Sequence, residues 1–177
     1  MQLAQKITID LLDFFKTGRF DCLKLSQTKE YIINNFPDPD GFEEGYMNYR
    51  KHGDIWRYGN IELHFDNENK LYLIFSDYIS TLNGGENLIL EKWILNKSSD
   101  LTLLKVMDAL NKEHIDFEKR TALQLNEIIV KLSTSKVELF FQLFEEEGET
   151  HDYKTIDPNT YKLGAFSLMQ KPLKQES

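Results

Sequence analysis

Apolar residues recur along this chain with two periods, one of two and one near four. Trp56, Tyr58, Ile61, Leu63 and Phe65 bracket polar positions, the alternation of strands with one packed face and one partly wet. Asp66-Asn67-Glu68-Asn69 is a turn cluster, and Lys70 to Phe75 returns as the second strand of a hairpin. Leu82-Asn83-Gly84-Gly85 predicts another turn, followed by a third strand over Leu88–Leu95 that carries Trp93. The longer period belongs to helices. Leu3, Ile7, Leu11, Leu12 and Phe15 predict an amphipathic helix over residues 2–16, closed by Thr17-Gly18. A second helix follows Leu23 and Leu25, with Ser26 as its predicted N-cap and Ile32, Ile33 and Phe36 as its apolar positions. Pro37-Asp38-Pro39-Asp40-Gly41 cannot continue it, and residues 41–53 predict a loop.

The order then starts again. Ser98-Ser99-Asp100 offers caps, and Leu101, Leu104, Met107, Ala109 and Leu110 predict a helix to about His114. Strands follow over Leu123–Leu132 and Val137–Leu143, then an acidic loop from Glu145 to Asn159, a closing strand over Tyr161–Leu168 and a polar tail. Ile61-Glu62-Leu63-His64-Phe65 and Val137-Glu138-Leu139-Phe140-Phe141 read alike at an offset of 76 (137 − 61). The same offset lays Leu25-Ser26-Gln27-Thr28-Lys29 on Leu101-Thr102-Leu103-Leu104-Lys105. The closing strand slips to an offset of 92 (163 − 71), because the second hairpin loop is longer. Internal repetition of this kind constrains architecture. It predicts an α+β fold: a curved antiparallel sheet with helices packed on one face, built from two tandem helix-plus-strands repeats. Short alternating strands also resemble one another by chance, so coincidence stays the alternative. The predicted boundaries are an N-terminal helix over 1–22, a first repeat over 23–97, a second over 98–170 and a tail over 171–177, all in one compact unit.

Composition narrows the function. The 177 residues carry 29 acids against 21 bases, a net charge of −8. Phosphate binding needs a basic face, so nucleic acid is not the expected partner. An acidic surface suits a basic protein partner, whose encounter it would steer, and it also serves solubility alone. One cysteine, Cys22, excludes an internal disulfide and a cysteine-rich zinc site, and a reducing compartment is the simplest inference. Lys6 and Asp10 interrupt the apolar pattern of the first fifteen residues, which argues against a secretory signal. No apolar run approaches the 18 or so residues of a membrane span. The expected location is the cytoplasm.

No phosphate-cradling, dinucleotide-binding, zinc-protease or nucleophile-elbow motif occurs. Asp38, Asp40 and Gly41 resemble the start of a calcium loop, but Pro39 intervenes and Met47 stands where the final glutamate belongs. The four histidines, His52, His64, His114 and His151, form no i, i+4 pair. Cys22 would need an adjacent base to act as a nucleophile, and otherwise reads as a small core hydrophobe. No catalytic residue, metal or cofactor is therefore predicted.

The candidate residues point to contact instead. Glu62 and Glu138 are equivalent at the offset of 76 and should face the same side of the sheet, where they could anchor a cationic partner or stand solvated. Trp56, Tyr58 and Trp93 are expected in the core. Arg57, His64 and Tyr72 are the better contacts, because Tyr, Trp and Arg dominate interface hot spots. Glu145-Glu146-Glu147-Gly148-Glu149 with His151, Asp152 and Tyr153 forms a loop both negative and aromatic. Glu145, Glu146, Glu147 and Tyr153 could enter a basic cleft, although charge runs are usually solvated.

The run Leu23-Lys24-Leu25-Ser26-Gln27-Thr28-Lys29-Glu30, then Pro37-Asp38, then Trp56-Arg57-Tyr58-Gly59-Asn60-Ile61-Glu62-Leu63-His64-Phe65, then Leu71-Tyr72-Leu73-Ile74-Phe75 resembles the helix-plus-hairpin unit of the beta-lactamase-inhibitor-protein-like fold. That fold is shared with small outer-membrane assembly lipoproteins. The inhibitors carry two such units and bind an enzyme across a concave sheet. They are disulfide-bonded and secreted, and the lipoproteins have a lipid-bearing cysteine, so the resemblance implies a cytoplasmic version here. The composition is also similar to that of immunity proteins of bacterial polymorphic-toxin systems. The resemblance implies a non-catalytic module that occludes a basic toxin or enzyme, with no nucleic acid and no membrane. The alternative is a small-ligand sensor or enzyme with a pocket between sheet and helices. Oligomeric state is not legible.

Overall fold

A computed structural model describes residues 6–43, 54–122, 126–143 and 156–170, with backbone alone for 97–100. The chain runs β1 (Ile7–Asp10), α1 (Leu11–Thr17), α2 (Lys29–Asn35), β2 (Gly41–Glu43), β3 (Ile55–Tyr58), β4 (Ile61–Phe65), β5 (Leu71–Ser76), β6 (Leu88–Glu91), α3 (Leu103–Lys112), β7 (Phe117–Ala122), β8 (Glu127–Leu132), β9 (Glu138–Gln142) and β10 (Lys162–Met169). Eight strands form one open antiparallel sheet in the order β2-β3-β4-β5-β10-β9-β8-β7. The helices lie to one side of it. The α+β class, the antiparallel sheet and the one-sided helices are therefore as the hydrophobic pattern predicts.

Strand alternation sets the two faces. Trp56, Tyr58, Ile61, Leu63, Ile74, Val130, Leu139 and Phe166 point under the helices and are almost fully buried. Phe166 on β10 is the hub, 6.0 Å from Phe14 and 5.7 Å from Phe15 of α1. Phe36, just past α2, meets Tyr58 edge-on at 5.4 Å. Leu103, Val106 and Leu110, spaced three and four apart on α3, are fully buried.

The sheet order has the same form read from either edge, and the details agree. In the first half, Lys29 N donates to Asn69 O and Leu71 N to Gln27 O, tying the start of α2 to the start of β5. In the second, Leu103 N donates to Tyr161 O and Leu163 N to Leu101 O, tying α3 to β10 in the same way. Each helix carries a threonine N-cap, Thr28 and Thr102. Glu62 faces Phe75 across β4–β5, and Glu138 faces Ser167 across β9–β10. Both hairpins carry a bulge at the matching place: Tyr72 is the extra residue between His64/Leu73 and Phe65/Leu71, and Gly164 between Phe140/Ala165 and Phe141/Leu163.

Several local expectations are corrected. The first helix does not span 2–16. Ile7–Asp10 is a strand paired in parallel with β6, and the Asp10 carboxylate accepts from the Leu12 and Asp13 amides, so the helix begins only after it. Ser26 is not the N-cap of α2. It sits at φ 72, and Thr28 caps the helix through the Tyr31 amide. Gly41–Glu43, expected as loop, is the edge strand β2. Leu88–Leu95 is not a continuous strand: β6 ends at Glu91 and a 3-10 helix runs from Trp93 to Asp100. β6 joins β1 in a separate two-stranded sheet, not the main one. Of the strand expected over Leu123–Leu132, the part within the described residues is β8, Glu127–Leu132, while 123–125 lie outside them, and the hydrophobic pattern gives no sign of the charged edge strand β7. Its sequence, FEKRTA, is too polar to show alternation, but charge on an exposed edge deters further strand pairing.

Candidate functional site

The face away from the helices gathers the predicted contact residues. Cross-strand register places Arg57 opposite Glu62, Glu62 opposite Phe75, Phe75 opposite Ser167, Ser167 opposite Glu138 and Glu138 opposite Lys131. Directly paired residues share a face, so this is one row crossing the middle of the sheet. Glu62 and Glu138 do face the same side. Three interstrand spacings separate them, roughly 14 Å.

Neither carboxylate is bare. Glu62 accepts from His64 at 2.8 Å and lies 3.4 Å from Arg57, which also meets Glu43 at 2.9 Å. Glu138 lies 3.3 Å from Arg120 and 3.4 Å from Lys131. The side chains of Glu62 and Glu138 are only 18% and 20% exposed, so water screens these pairs less than it would a projecting ion pair. Expected as anchors for a cationic partner or as solvated groups, both carboxylates are also the centres of intramolecular clusters. Arg57 keeps one buried atom, Nε, without a hydrogen-bond partner.

His64 and Tyr72 stand next to the Glu62 cluster. Strand alternation puts His64 beside Glu62, and the bulge turns Tyr72 and Leu73 to the same face. His64 meets Tyr72 edge-on at 6.2 Å and Phe75 at 6.4 Å. Burial, then the charges of Asp54 and Asp66, push the Tyr72 phenol up from its ordinary range. Arg57, Glu62, His64, Tyr72 and Glu138 thus share one surface. Glu145, Glu146, Glu147 and Tyr153 lie outside the described residues.

Beside the Glu138 cluster lies an open depression of about 440 Å³, lined by Phe75, Asp77, Glu127, Phe140, Gln142, Gly164 and Ala165. Gly164 explains it. This residue occupies the bulge position that Tyr72 fills in the other half, and Phe140 stands where His64 does. No ring stands at this bulge, and the depression opens beside it. Glu127 is only 6% exposed, and its Oε1 accepts from Gln142 Nε2 at 2.7 Å. Among the described residues no cation approaches it. Sequence reasoning misses Glu127, Gln142 and Gly164. The signal is present in the alignment of the halves, which sets a glycine against a tyrosine.

The other chemical candidates resolve structurally. Asp40 is no calcium ligand in a loop: its Oδ2 accepts from Gly59 N at 2.6 Å and its Oδ1 from Glu86 N at 2.9 Å, clasping two turns together. Among the described residues no three His, Cys, Asp or Glu side chains converge as a metal site. Cys22 is half-buried against the core, and its thiol is pushed up, chiefly by burial and then by Asp21. No described helix is long and apolar enough to cross a membrane. Compared with protein-family models, with curated proteins and with solved structures, the chain matches none.

Proposed function

We propose that this chain is a non-catalytic protein-binding module that docks a basic partner across the outer face of its sheet. One observation carries the reading: the cross-sheet row that sets the Glu62 and Glu138 clusters on either side of Phe75 and Ser167. Charged and aromatic groups held on rigid strands form a platform whose side chains lose little freedom on docking. The local clusters are compensated, so attraction of a basic partner rests on the net charge of −8, which steers encounter. Inhibition or immunity, by covering a toxin or enzyme in the cytoplasm, is the form of binding that the acidic balance and the family resemblance favour. On this reading the two halves are two copies of one unit.

The rival, a small-ligand sensor or enzyme with a pocket between sheet and helices, has less support. That layer is filled by Phe14, Phe15, Phe20, Phe36 and Phe166. Capture from extracts of the source organism tests the proposal, using the wild-type chain, the Glu62→Lys/Glu138→Lys variant and Leu104→Asp on the exposed side of α3. The expected result is a basic protein retained by wild type and Leu104→Asp, released by salt, and lost with the double variant. Retention by the double variant together with loss in Leu104→Asp would move the interface to the helices and refute it.

A further inference from the structure

We infer that the depression beside Glu138 receives a cationic side chain, an arginine or lysine, of the docked partner. This rests on the reading of the outer face as a docking surface and assigns that surface its central contact.

Glu127 is the reason. A carboxylate removed from water is costly unless a cation or several donors compensate it. Glu62 has Arg57 and the imidazole of His64 within contact distance, and Glu138 has two cations, Arg120 and Lys131. Glu127 is more buried than either, yet has a single hydrogen bond, from the neutral Gln142. Its other oxygen makes no hydrogen bond among the described residues and keeps contact with solvent at the depression. The space next to it is the depression itself, with Asp77 at the rim and the rings of Phe75 and Phe140 in the lining. Two carboxylates and two aromatic rings around an open depression suit a guanidinium or ammonium group, through ion pairing and cation–π attraction. A neutral apolar group would leave Glu127 uncompensated. An anion would meet two carboxylates.

The gap has a natural plug. Gly164 holds the bulge position that Tyr72 fills in the other half and lines the depression, and its φ is not positive, so a side chain there meets no left-handed backbone strain. Gly164→Tyr should fill the part of the depression next to β10, and its amide spectrum checks that the fold is kept.

The test titrates the isotope-labelled protein with N-acetylarginine amide, N-acetyllysine amide and, as the uncharged counterpart, N-acetylcitrulline amide, following backbone amide shifts. The expected result is saturable shifts at Phe75, Gln142 and Ala165 with arginine or lysine, at a dissociation constant on the order of millimolar. Citrulline should produce none. Glu127→Gln keeps the acceptor for Gln142 and should weaken binding roughly tenfold; Asp77→Asn, on the exposed rim, provides the same readout if Glu127→Gln does not fold. Gly164→Tyr should abolish the shifts. Equal response to citrulline, or binding unchanged in a folded Glu127→Gln or Gly164→Tyr, overturns the inference. The same variants in the capture experiment separate the two proposals. Partner retention by Gly164→Tyr with loss in Glu62→Lys/Glu138→Lys leaves the docking surface standing and sinks the depression. Cation binding by a protein that captures nothing basic does the opposite.

Discussion

Asp40 and Gly85 supply a sharp test of how the fold is held. Gly85 has φ +67, and a Cβ there would run into the Asp40 carboxylate and within 2.5 Å of Gly59 N. The same carboxylate accepts from Gly59 N and Glu86 N. In Gly85→Ala the left-handed backbone costs about 1–2 kcal/mol, and displacement of Asp40 forfeits charge-assisted hydrogen bonds worth about 1.5–3 kcal/mol each in less exposed settings. The sum, discounted for solvent access, is roughly 3–5 kcal/mol, a large share of the 5–15 kcal/mol that typically separates folded from unfolded. Asp40→Ala loses the same hydrogen bonds without the strain and should cost about 2–3 kcal/mol. Because both changes remove the same clasp, the double variant should fall short of additivity by about 2–3 kcal/mol. Urea denaturation measures all three, with Gly41→Ala as the neutral control, since a Cβ at Gly41 meets nothing within 4 Å. Additive costs, or a Gly85→Ala midpoint equal to that of Gly41→Ala, would refute the clasp.

Tyr58 and the two threonine caps give two further expected outcomes. Tyr58 donates to Pro37 O at 2.7 Å, and burial, then Asp38 and Asp40, hold its phenol neutral far above the ordinary range. The unfolded chain loses that proton near pH 10 while the folded chain keeps it, so stability should fall above pH 10 by about 1.4 kcal/mol per pH unit; in Tyr58→Phe, denaturation monitored between pH 9 and 11 should lack this slope, and an unchanged slope would exclude Tyr58 as its source. Thr28 and Thr102 accept from Tyr31 N at 3.2 Å and Lys105 N at 3.5 Å; each threonine-to-alanine change should cost about 1 kcal/mol in urea denaturation, and the pair should add, because the caps sit on separate helices.

Much of the fold is legible wherever one face of an element is packed and the other is not. Ile61, Leu63 and Phe65 alternate because β4 is covered on one side only, and their spacing marks the limits of the observed strand. The signal fails where another constraint overrides periodicity. Ile7 and Leu11 fit a helix, but Thr8 and Ile9 favour a strand, and Asp10 is placed to cap the helix that begins at Leu11. Leu88–Leu95 is apolar enough for a strand, yet Trp93 takes φ 48 and the chain turns into a 3-10 helix. β7 shows no alternation because four of its six residues are exposed. The outer face is legible as a set of residues but not as chemistry. Sequence can put Glu62 and Glu138 on one side; it cannot show that Arg57, His64, Arg120 and Lys131 already occupy them.

The likeness of the two halves locates the site better than any single residue does. Where matching positions hold similar groups, as with Glu62 and Glu138, the structure uses them alike, each as the centre of a compensated cluster. Where they differ, the chemistry differs too. Tyr72 against Gly164 turns a filled bulge into an open one, and Phe140 in place of His64 removes a polar ring from that rim. Both substitutions act at one spot, and beside it lies Glu127, a buried carboxylate with no cation beside it among the described residues. Packing alone would favour a filled bulge in both halves, since an open depression forfeits contact. On the proposed reading, missing bulk and surplus negative charge together suit the entry of a partner's cationic side chain.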